Sequence, residues 1–249
     1  MSRPGTAFTA VSASSTKTAF SKAPVYTEEE QKARREAALE IVQREGLPDT
    51  VQKIRVGTDA EKEEAVKTLS FLATHDAQCA TFIAACGAIQ VLIPLLSAKD
   101  GIGDEDATFD LKEQTVKCLR DLCIGDRCNQ RPVAECGAIP PLLKILTEQN
   151  HPWSIREAAA EAIAILAYEL SGGPAQEIIM ENQGITKLLA VFREKECTPD
   201  AKYFCAKGMR FMAAHKPAAL EMRALGILKA REQNPDTDII MPGLDGGLV

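Results

Sequence analysis

The amino-acid sequence predicts an all-α protein whose helical units stack into one elongated solenoid. Three observations predict this fold class: a glycine recurs along the chain, similar apolar runs follow it, and no segment shows a convincing strand pattern. A period of about 40 to 47 residues carrying two or three helices is typical of helical repeat arrays. Such a unit cannot bury its own apolar face, so neighbouring units must stack into a continuous core.

The recurring glycine marks the expected turn between the first and second helix of each unit. The glycines are Gly46, Gly87, Gly137, Gly184 and Gly226, at spacings of 41, 50, 47 and 42 residues. Two copies share the letters Cys-Gly-Ala-Ile. Because glycine lacks a Cβ atom and readily takes positive φ, we expect a sharp turn at each of the five.

A short apolar run and then a longer run follow each of the first four glycines. The short runs are VQKIRV, VLIPLL, PLLKIL and KLLAVF. The longer runs, of which EAAAEAIAILAYE is one, place apolar residues at i, i+3, i+4 and i+7, and this spacing predicts amphipathic α-helices. The sequence therefore predicts three helices per unit.

The segment ECGAIPPLLKIL followed by SIREAAAEAIAILA resembles the consensus of the armadillo repeat family. The resemblance covers residues 28 to 231, as four repeats and the first helix of a fifth. It implies a right-handed superhelical solenoid of armadillo-type three-helix repeats, with the third helices lining a concave groove. HEAT repeats are the alternative, but they would lack the glycine at the first turn.

The chain divides into three parts. Residues 1–26 are rich in Ser, Thr and Ala and contain no acidic residue, which predicts a disordered or partner-docking arm; a plastid-type transit peptide is a third interpretation. Residues 27–231 form the armadillo-repeat solenoid, whose first helix should begin at the capping box Thr27–Glu30. Residues 232–249 are a C-terminal tail.

The resemblance also indicates which side chains line the groove. In armadillo proteins an Asn four residues after a Trp on the third helix clamps the backbone of an extended peptide. The matching Trp positions here are Lys67, Lys117, Glu161 and Lys207, and none keeps the family residue. The ladder of the nuclear-import adaptors is therefore absent. The expected partner-binding groove residues are Lys67, Phe71, Lys117, Asp121, Ile165, Lys207 and Phe211.

A groove with lysines beside apolar side chains should prefer an extended peptide with acidic and apolar residues. An alternative remains open for the lysines. Glu63 and Lys67, and likewise Glu113 and Lys117, stand at i and i+4 in the favourable order. Each glutamate and lysine could therefore form an ion pair within their own helix instead of binding a ligand.

Composition excludes several classes of function. A net charge of −6 argues against a nucleic-acid binder, and no apolar run reaches the ~18 residues of a membrane span. The eight cysteines form no Cys-x-x-Cys pair and mostly fall in apolar helical patterns. We interpret them as reduced thiols in a cytoplasmic protein, with disulfides or zinc as the alternatives.

The sequence shows no pattern typical of an enzyme or a metal site. The acidic stretch 99–108 fails the EF-hand pattern, because a start at Asp104 puts Phe109 where the loop needs glycine. We expect an exposed loop there that binds no calcium. The three histidines lack metal-ligand spacing, and no phosphate-binding loop or nucleophile elbow occurs. We therefore expect no catalysis and no cofactor.

Two functions fit this sequence. The first is a non-catalytic scaffold or adaptor that binds partner proteins through the solenoid, as part of a larger complex. The alternative is a structural subunit of a large ciliary or cytoskeletal assembly, docked through its N-terminal arm and solenoid edges. The expected location is cytoplasmic in the first case and associated with the cytoskeleton or cilium in the second.

Overall fold

The computed structural model describes residues 46–75, 77–97, 105–168 and 173–228. The predicted arm 1–26, the capping-box helix, residues 99–104 of the acidic stretch and the tail 232–249 lie outside these ranges. The prediction of a loop over 99–108 was wrong for its last four residues, because the helix that continues to Gly125 begins at Glu105.

The described residues form α-helices joined by short turns. A short 3-10 turn, Arg127–Asn129, precedes α6. In chain order the helices are α1 (46–56), α2 (Asp59–His75), α3 (Ala77–Ala85), α4 (Ala88–Leu96), α5 (Glu105–Gly125), α6 (Gln130–Glu135), α7 (Ile139–Thr147), α8 (Trp153–Ala167), α9 (Pro174–Glu181), α10 (Gly184–Phe192), α11 (Pro199–Met212) and α12 (Lys216–Ala224).

These helices stack as the sequence predicts, and the all-α solenoid is confirmed. The third helices α2, α5, α8 and α11 pack side by side in chain order, and the second helices α4, α7 and α10 contact one another in the same order. Leucines fill the space between the two layers, among them Leu69, Leu92, Leu119 and Leu142, all fully buried. Each repeat thus buries its apolar faces against its neighbours.

The alanine-rich third helix α8 is buried over its C-terminal two thirds. It contacts α5 and α11 on either flank and α7 from the second-helix layer. Its residues 158–167 are all buried. Small side chains allow this close approach: the Cβ atom of an alanine placed at Gly208 on α11 would lie 3.6 Å from the Cα atom of Ala164. A helical stretch that is apolar nearly all round belongs in the interior, and Glu161 is the one charged residue in this stretch.

Four of the five predicted glycine turns have the expected backbone. Gly46, Gly87, Gly137 and Gly226 have φ values of 75°, 83°, 90° and 71°. This left-handed region favours glycine because a Cβ atom there is strained. The positive-φ turn therefore recurs with the repeat.

At the fourth turn the prediction was wrong by one residue. Gln183 takes the left-handed conformation there, with φ 56°, and Gly184 is the first residue of α10. A Cβ atom on Gly184 would lie 2.7 Å from the carbonyl oxygen of Ile179 and 2.3 Å from its Cγ2 atom. Crowding against α9, not backbone conformation, therefore explains glycine at this position.

The turn assignment predicts opposite responses at two equivalent positions. Gly137→Val should lower the free energy of unfolding by more than ~1 kcal/mol, because valine is strained at positive φ. No atom lies within 4 Å of the Cβ position, so the loss would report backbone strain alone. Gln183→Gly should leave the stability unchanged or raise it, because it relieves the same strain. Urea unfolding followed by circular dichroism measures both; equal losses would contradict the assignment.

The length and apolar composition of the helices can be compared with those of a membrane span. Within the ranges above, no single helix combines the length and apolar composition of a membrane span. The helical segments Cys79–Ala85 and Ala88–Leu96 reach that length and composition only when taken together, and they meet at an angle of 79°.

Candidate functional site

The third helices present equivalent side chains in parallel rows. We call the rows of side chains on α2, α5, α8 and α11, together with the residues that follow these helices by up to two positions, the third-helix surface. One row consists of Lys67, Lys117, Glu161 and Lys207, and the next row, one turn further along, of Phe71, Asp121, Ile165 and Phe211. A third row, three residues beyond the second, consists of Thr74, Ile124, Tyr168 and Ala214.

Two of the predicted groove lysines form ion pairs within their own helices. Lys67 pairs with Glu63, and the Nζ atom of Lys117 lies 2.6 Å from Oε1 of Glu113. Ser154 of α8 also donates a hydrogen bond of 2.7 Å to Glu113. Burial alone would raise the pKa of Glu113, but these two hydrogen bonds outweigh it and lower the pKa. The charges of Lys67 and Lys117, which lie in the N-terminal half of the third-helix surface, are therefore largely compensated.

Asp121 and Ile165, two of the predicted groove residues, lie in the interior. Ile165 is only 5% exposed and belongs to the apolar core. Asp121 is 3% exposed. Phe71 is half-buried and packs against the core. In this part of the molecule neighbouring helices cover the second row.

Asp121 belongs to a buried polar network that joins three third helices. It accepts hydrogen bonds from Ser70 of α2 and, at 2.8 and 2.7 Å, from Nε and Nη2 of Arg120. The Nη1 atom of Arg120 donates at 2.8 Å to Oε2 of Glu161 on α8. We call Ser70, Arg120, Asp121 and Glu161 the buried ionic network.

Burial sets the proton affinities in the buried ionic network. Burial raises the pKa of Asp121 and of Glu161, although the Arg120 guanidinium opposes this in both cases. Burial would lower the pKa of Arg120, but the two carboxylates outweigh it and raise that pKa. The Oε1 atom of Glu161 is buried and has no hydrogen-bond partner among the described residues, which adds to the cost of its charge.

A second cluster lies mainly toward the C-terminal ends of the third helices, in the C-terminal half of the third-helix surface, and is open to solvent. The guanidinium carbon of Arg127 lies 4.7 Å from the ring centroid of Tyr168. The rings of Tyr168 and Phe211 are 4.5 Å apart at a tilt of 53°. The Nζ atom of Lys207 lies 6.0 Å from the Phe211 ring and 5.4 Å from the Tyr203 ring. We call these five residues the aromatic–cation cluster.

The aromatic–cation cluster combines an apolar face with positive charge. Tyr168 is 44% exposed, one of the few large apolar side chains exposed to that extent in the described ranges. It directly follows α8, whereas Arg127 begins the 3-10 turn two residues after α5 and Phe211 lies near the C-terminal end of α11. The cluster therefore spans three consecutive repeats. Its cations carry cation–π contacts, and Arg127 forms no ion pair with any residue that the structure describes.

Of the aromatic–cation cluster, Lys207 and Phe211 are among the groove residues predicted from the sequence, whereas Tyr168 and Arg127 are not. Tyr168 could have been found, because it stands three residues after Ile165, in the same row as Ile124. Arg127 carries no comparable signal. Its contact with Tyr168 joins residues 41 positions apart and depends on how α5 and α8 pack.

The described residues contain no grouping suited to metal chemistry. No set of three or more His, Cys, Asp and Glu side chains is placed to hold a metal ion there. The buried cysteines Cys118, Cys123, Cys197 and Cys205 carry free thiols. Burial raises the pKa of the buried Cys118 and Cys205 thiols well above the ordinary value, which makes these two poor nucleophiles at neutral pH. Cys128 and Cys136 are exposed.

Comparison with known proteins bears on the fold. No family model and no curated protein matches the sequence. Among solved structures, a designed armadillo repeat protein in complex with the peptide (KR)4 is similar, with a TM-score of 0.63 and 17% identity over 80% of this chain and 82% of that one. A second designed armadillo repeat protein has a TM-score of 0.64 at 17% identity, over 82% and 84% of the two chains.

A third similar structure is one of the computationally designed armadillo repeat proteins for modular peptide recognition. It has a TM-score of 0.63 at 17% identity, over 80% of this chain and 83% of that one. Likeness at this level of identity concerns the fold alone. The repeat of three helices, the positive-φ turn before each second helix and these structural matches agree. The chain has an armadillo-like repeat fold.

Proposed function

We propose that this protein is a non-catalytic scaffold that binds a partner protein through its third-helix surface. One observation carries the proposal: the third helices α2, α5, α8 and α11 lie side by side and repeat equivalent side-chain positions from one unit to the next. An extended peptide also repeats its side chains at fixed intervals. Parallel rows of this kind therefore suit an elongated ligand.

The similar structures support a peptide ligand. One designed armadillo repeat protein is bound to the basic peptide (KR)4, and others are designed for modular peptide recognition. For this chain we propose the opposite charge preference. Arg127 contacts the exposed ring of Tyr168 and Lys207 the half-buried ring of Phe211, so acidic and apolar residues of a partner are the complementary chemistry. We further propose that the protein acts as part of a larger complex in the cytoplasm.

Charge reversal on the third-helix surface tests the proposal. The double variant Lys117→Glu, Lys207→Glu should reduce the amount of partner recovered from cell extract at least ~5-fold, because it repels an acidic ligand. The matched control is Lys144→Glu, Lys187→Glu on the second helices α7 and α10. It changes the net charge equally and should leave recovery unchanged. Thermal unfolding followed by circular dichroism verifies that both variants fold.

The same assay separates the alternative function. Deleting residues 1–26 should leave recovery of the partner intact if the third-helix surface binds it. Loss on this deletion, with full recovery by the Lys117, Lys207 double variant, would contradict the scaffold proposal and favour docking through the arm. Lysine-directed crosslinking adds position: partner crosslinks should map to Lys67, Lys117 and Lys207 and not to Lys144 and Lys187.

A further inference from the structure

The third-helix surface is electrostatically uneven. In its N-terminal half, Lys67 and Lys117 are paired with glutamates one turn away. In its C-terminal half, Arg127 contacts the Tyr168 ring, and Arg210 on α11 is exposed. The protein as a whole has a net charge of −6. Exposed cations such as Arg127 and Arg210 attract acidic ligands to that part of an acidic protein.

The aromatic–cation cluster also offers apolar contact area at low entropic cost. Tyr168 and Phe211 pack against each other at 4.5 Å, and Phe211 is held against the apolar core. Rings fixed in this way lose little freedom when a ligand binds. Aromatic and arginine side chains are also the residue types that most often dominate the energy of protein interfaces.

Resting on the function proposed above, we propose that the aromatic–cation cluster is the anchor site for a partner peptide in which an aromatic or aliphatic side chain is flanked by Asp or Glu. The apolar side chain packs on the exposed part of Tyr168 beside Phe211. A flanking carboxylate meets Arg127, and a second one meets Lys207 on the other side of the ring pair. A basic peptide is repelled from this site.

Two acidic segments could occupy this surface: a partner peptide or the chain's own C-terminal tail. Residues 232–249 contain Glu232, Asp236, Asp238 and Asp245 but no lysine or arginine, so the chain's own tail resembles the expected ligand in composition. Charge and apolar content alone do not separate it from a partner peptide. The experiment therefore includes the chain with residues 229–249 deleted.

A displayed library of random decapeptides, selected on the full chain, tests the proposal. Enriched peptides should carry Phe, Tyr, Trp or Leu next to Asp or Glu. Their affinity, measured by fluorescence anisotropy with the synthesised peptides, should fall about tenfold for Tyr168→Ala and about tenfold for Arg127→Glu. A Lys-Arg repeat peptide of equal length should not bind.

Matched controls isolate the site. Phe82→Ala removes an aromatic side chain that is 59% exposed on the first helix α3, and Lys144→Glu reverses an exposed charge on α7. Both should change the affinity less than twofold. Tyr168 is exposed, so its replacement should not unfold the protein, and circular dichroism verifies this.

Several outcomes would overturn the proposal. The first is a selection without an acidic–apolar consensus, and the second is equal affinity for wild type and the two cluster variants. The third is a loss of affinity as large in the controls as in the cluster variants. The fourth is an affinity at least tenfold higher after deletion of residues 229–249, which would make the tail the occupant. If enriched peptides depend instead on Lys67 and Lys117, this inference fails and the proposed function stands. If the peptides crosslink only to second-helix lysines, both fail.

Discussion

Arg120→Met should lower the free energy of unfolding by about 3 kcal/mol or more. Arg120 is the only cation that hydrogen-bonds to both Asp121 and Glu161 in the described structure. The two carboxyl side chains are 4% and 3% exposed. Removing one partner of a buried ion pair leaves an uncompensated charge, and this costs about 3–5 kcal/mol. Urea unfolding at pH 7 measures the loss.

An exposed ion pair provides the matched control. Arg131 and Glu135 pair at 2.7 Å on α6, where their side chains are 67% and 48% exposed. Arg131→Met should cost less than ~0.5 kcal/mol, because solvent screens exposed pairs. If both substitutions lower the free energy of unfolding equally, the buried ionic network contributes no more to stability than an exposed ion pair does.

Neutralising the carboxyl groups should reverse part of the loss. In the triple variant Arg120→Met, Asp121→Asn, Glu161→Gln no charge remains in the buried ionic network. The introduced amides can still hydrogen-bond, and the one at position 121 remains within reach of Ser70. We expect the triple variant to be more stable than Arg120→Met by at least ~1 kcal/mol. A triple variant no more stable than the single one would show that lost packing, not buried charge, explains the effect.

The pH dependence of the free energy of unfolding tests the same mechanism independently. Burial raises the folded-state pKa of Asp121 and Glu161 above their unfolded values. The folded state then binds more protons, so stability decreases as the pH rises from the unfolded pKa values through the folded ones. Arg120→Met should raise both folded pKa values further. The loss caused by this substitution should therefore be larger at pH 8 than at pH 5; the reverse order would contradict it.

The sequence predicted the architecture well because the determining signals are local. The positive-φ turns at Gly87 and Gly137 need only a residue without Cβ. The burial of α8 follows from the alanine and isoleucine residues that predominate from position 158 to its end. These features depend on short-range backbone geometry and on helical periodicity, which one sequence displays directly.

The third-helix surface was predicted less well, because burial there depends on neighbouring helices. Asp121 and Ile165 occupy the same row as Phe211, yet α5 and α8 are covered on both flanks, whereas α11 contacts a third helix on one side only among the described elements. Arg120, next to Asp121 in sequence, supplies the partner that lets the carboxylate be buried. Neither fact is visible in the spacing of residues.

Gly184 illustrates a different limit. Its letter matches the repeat pattern, but the turn conformation belongs to Gln183. A glycine selected by close approach and one selected by positive φ look the same in sequence, and only the positions of surrounding atoms separate them. Gly125 is of the first kind as well: a Cβ atom there would lie 2.5 Å from the carbonyl oxygen of Ala73 and 2.8 Å from the Cβ atom of Ala80.

This distinction leads to the second large effect. Gly184→Ala should lower the free energy of unfolding by about 2 kcal/mol, because the added methyl group meets the backbone carbonyl of Ile179, which cannot move without shifting α9 against α10. Gly208→Ala, inside α11, is the matched control. Its Cβ atom would find ordinary contacts of 3.5 Å or more, and alanine favours the helix by up to ~1 kcal/mol. Gly208→Ala should therefore be neutral or stabilising. Thermal and urea unfolding compare the two variants, and a Gly184→Ala protein as stable as Gly208→Ala would show that α9 and α10 are not held at the distance described.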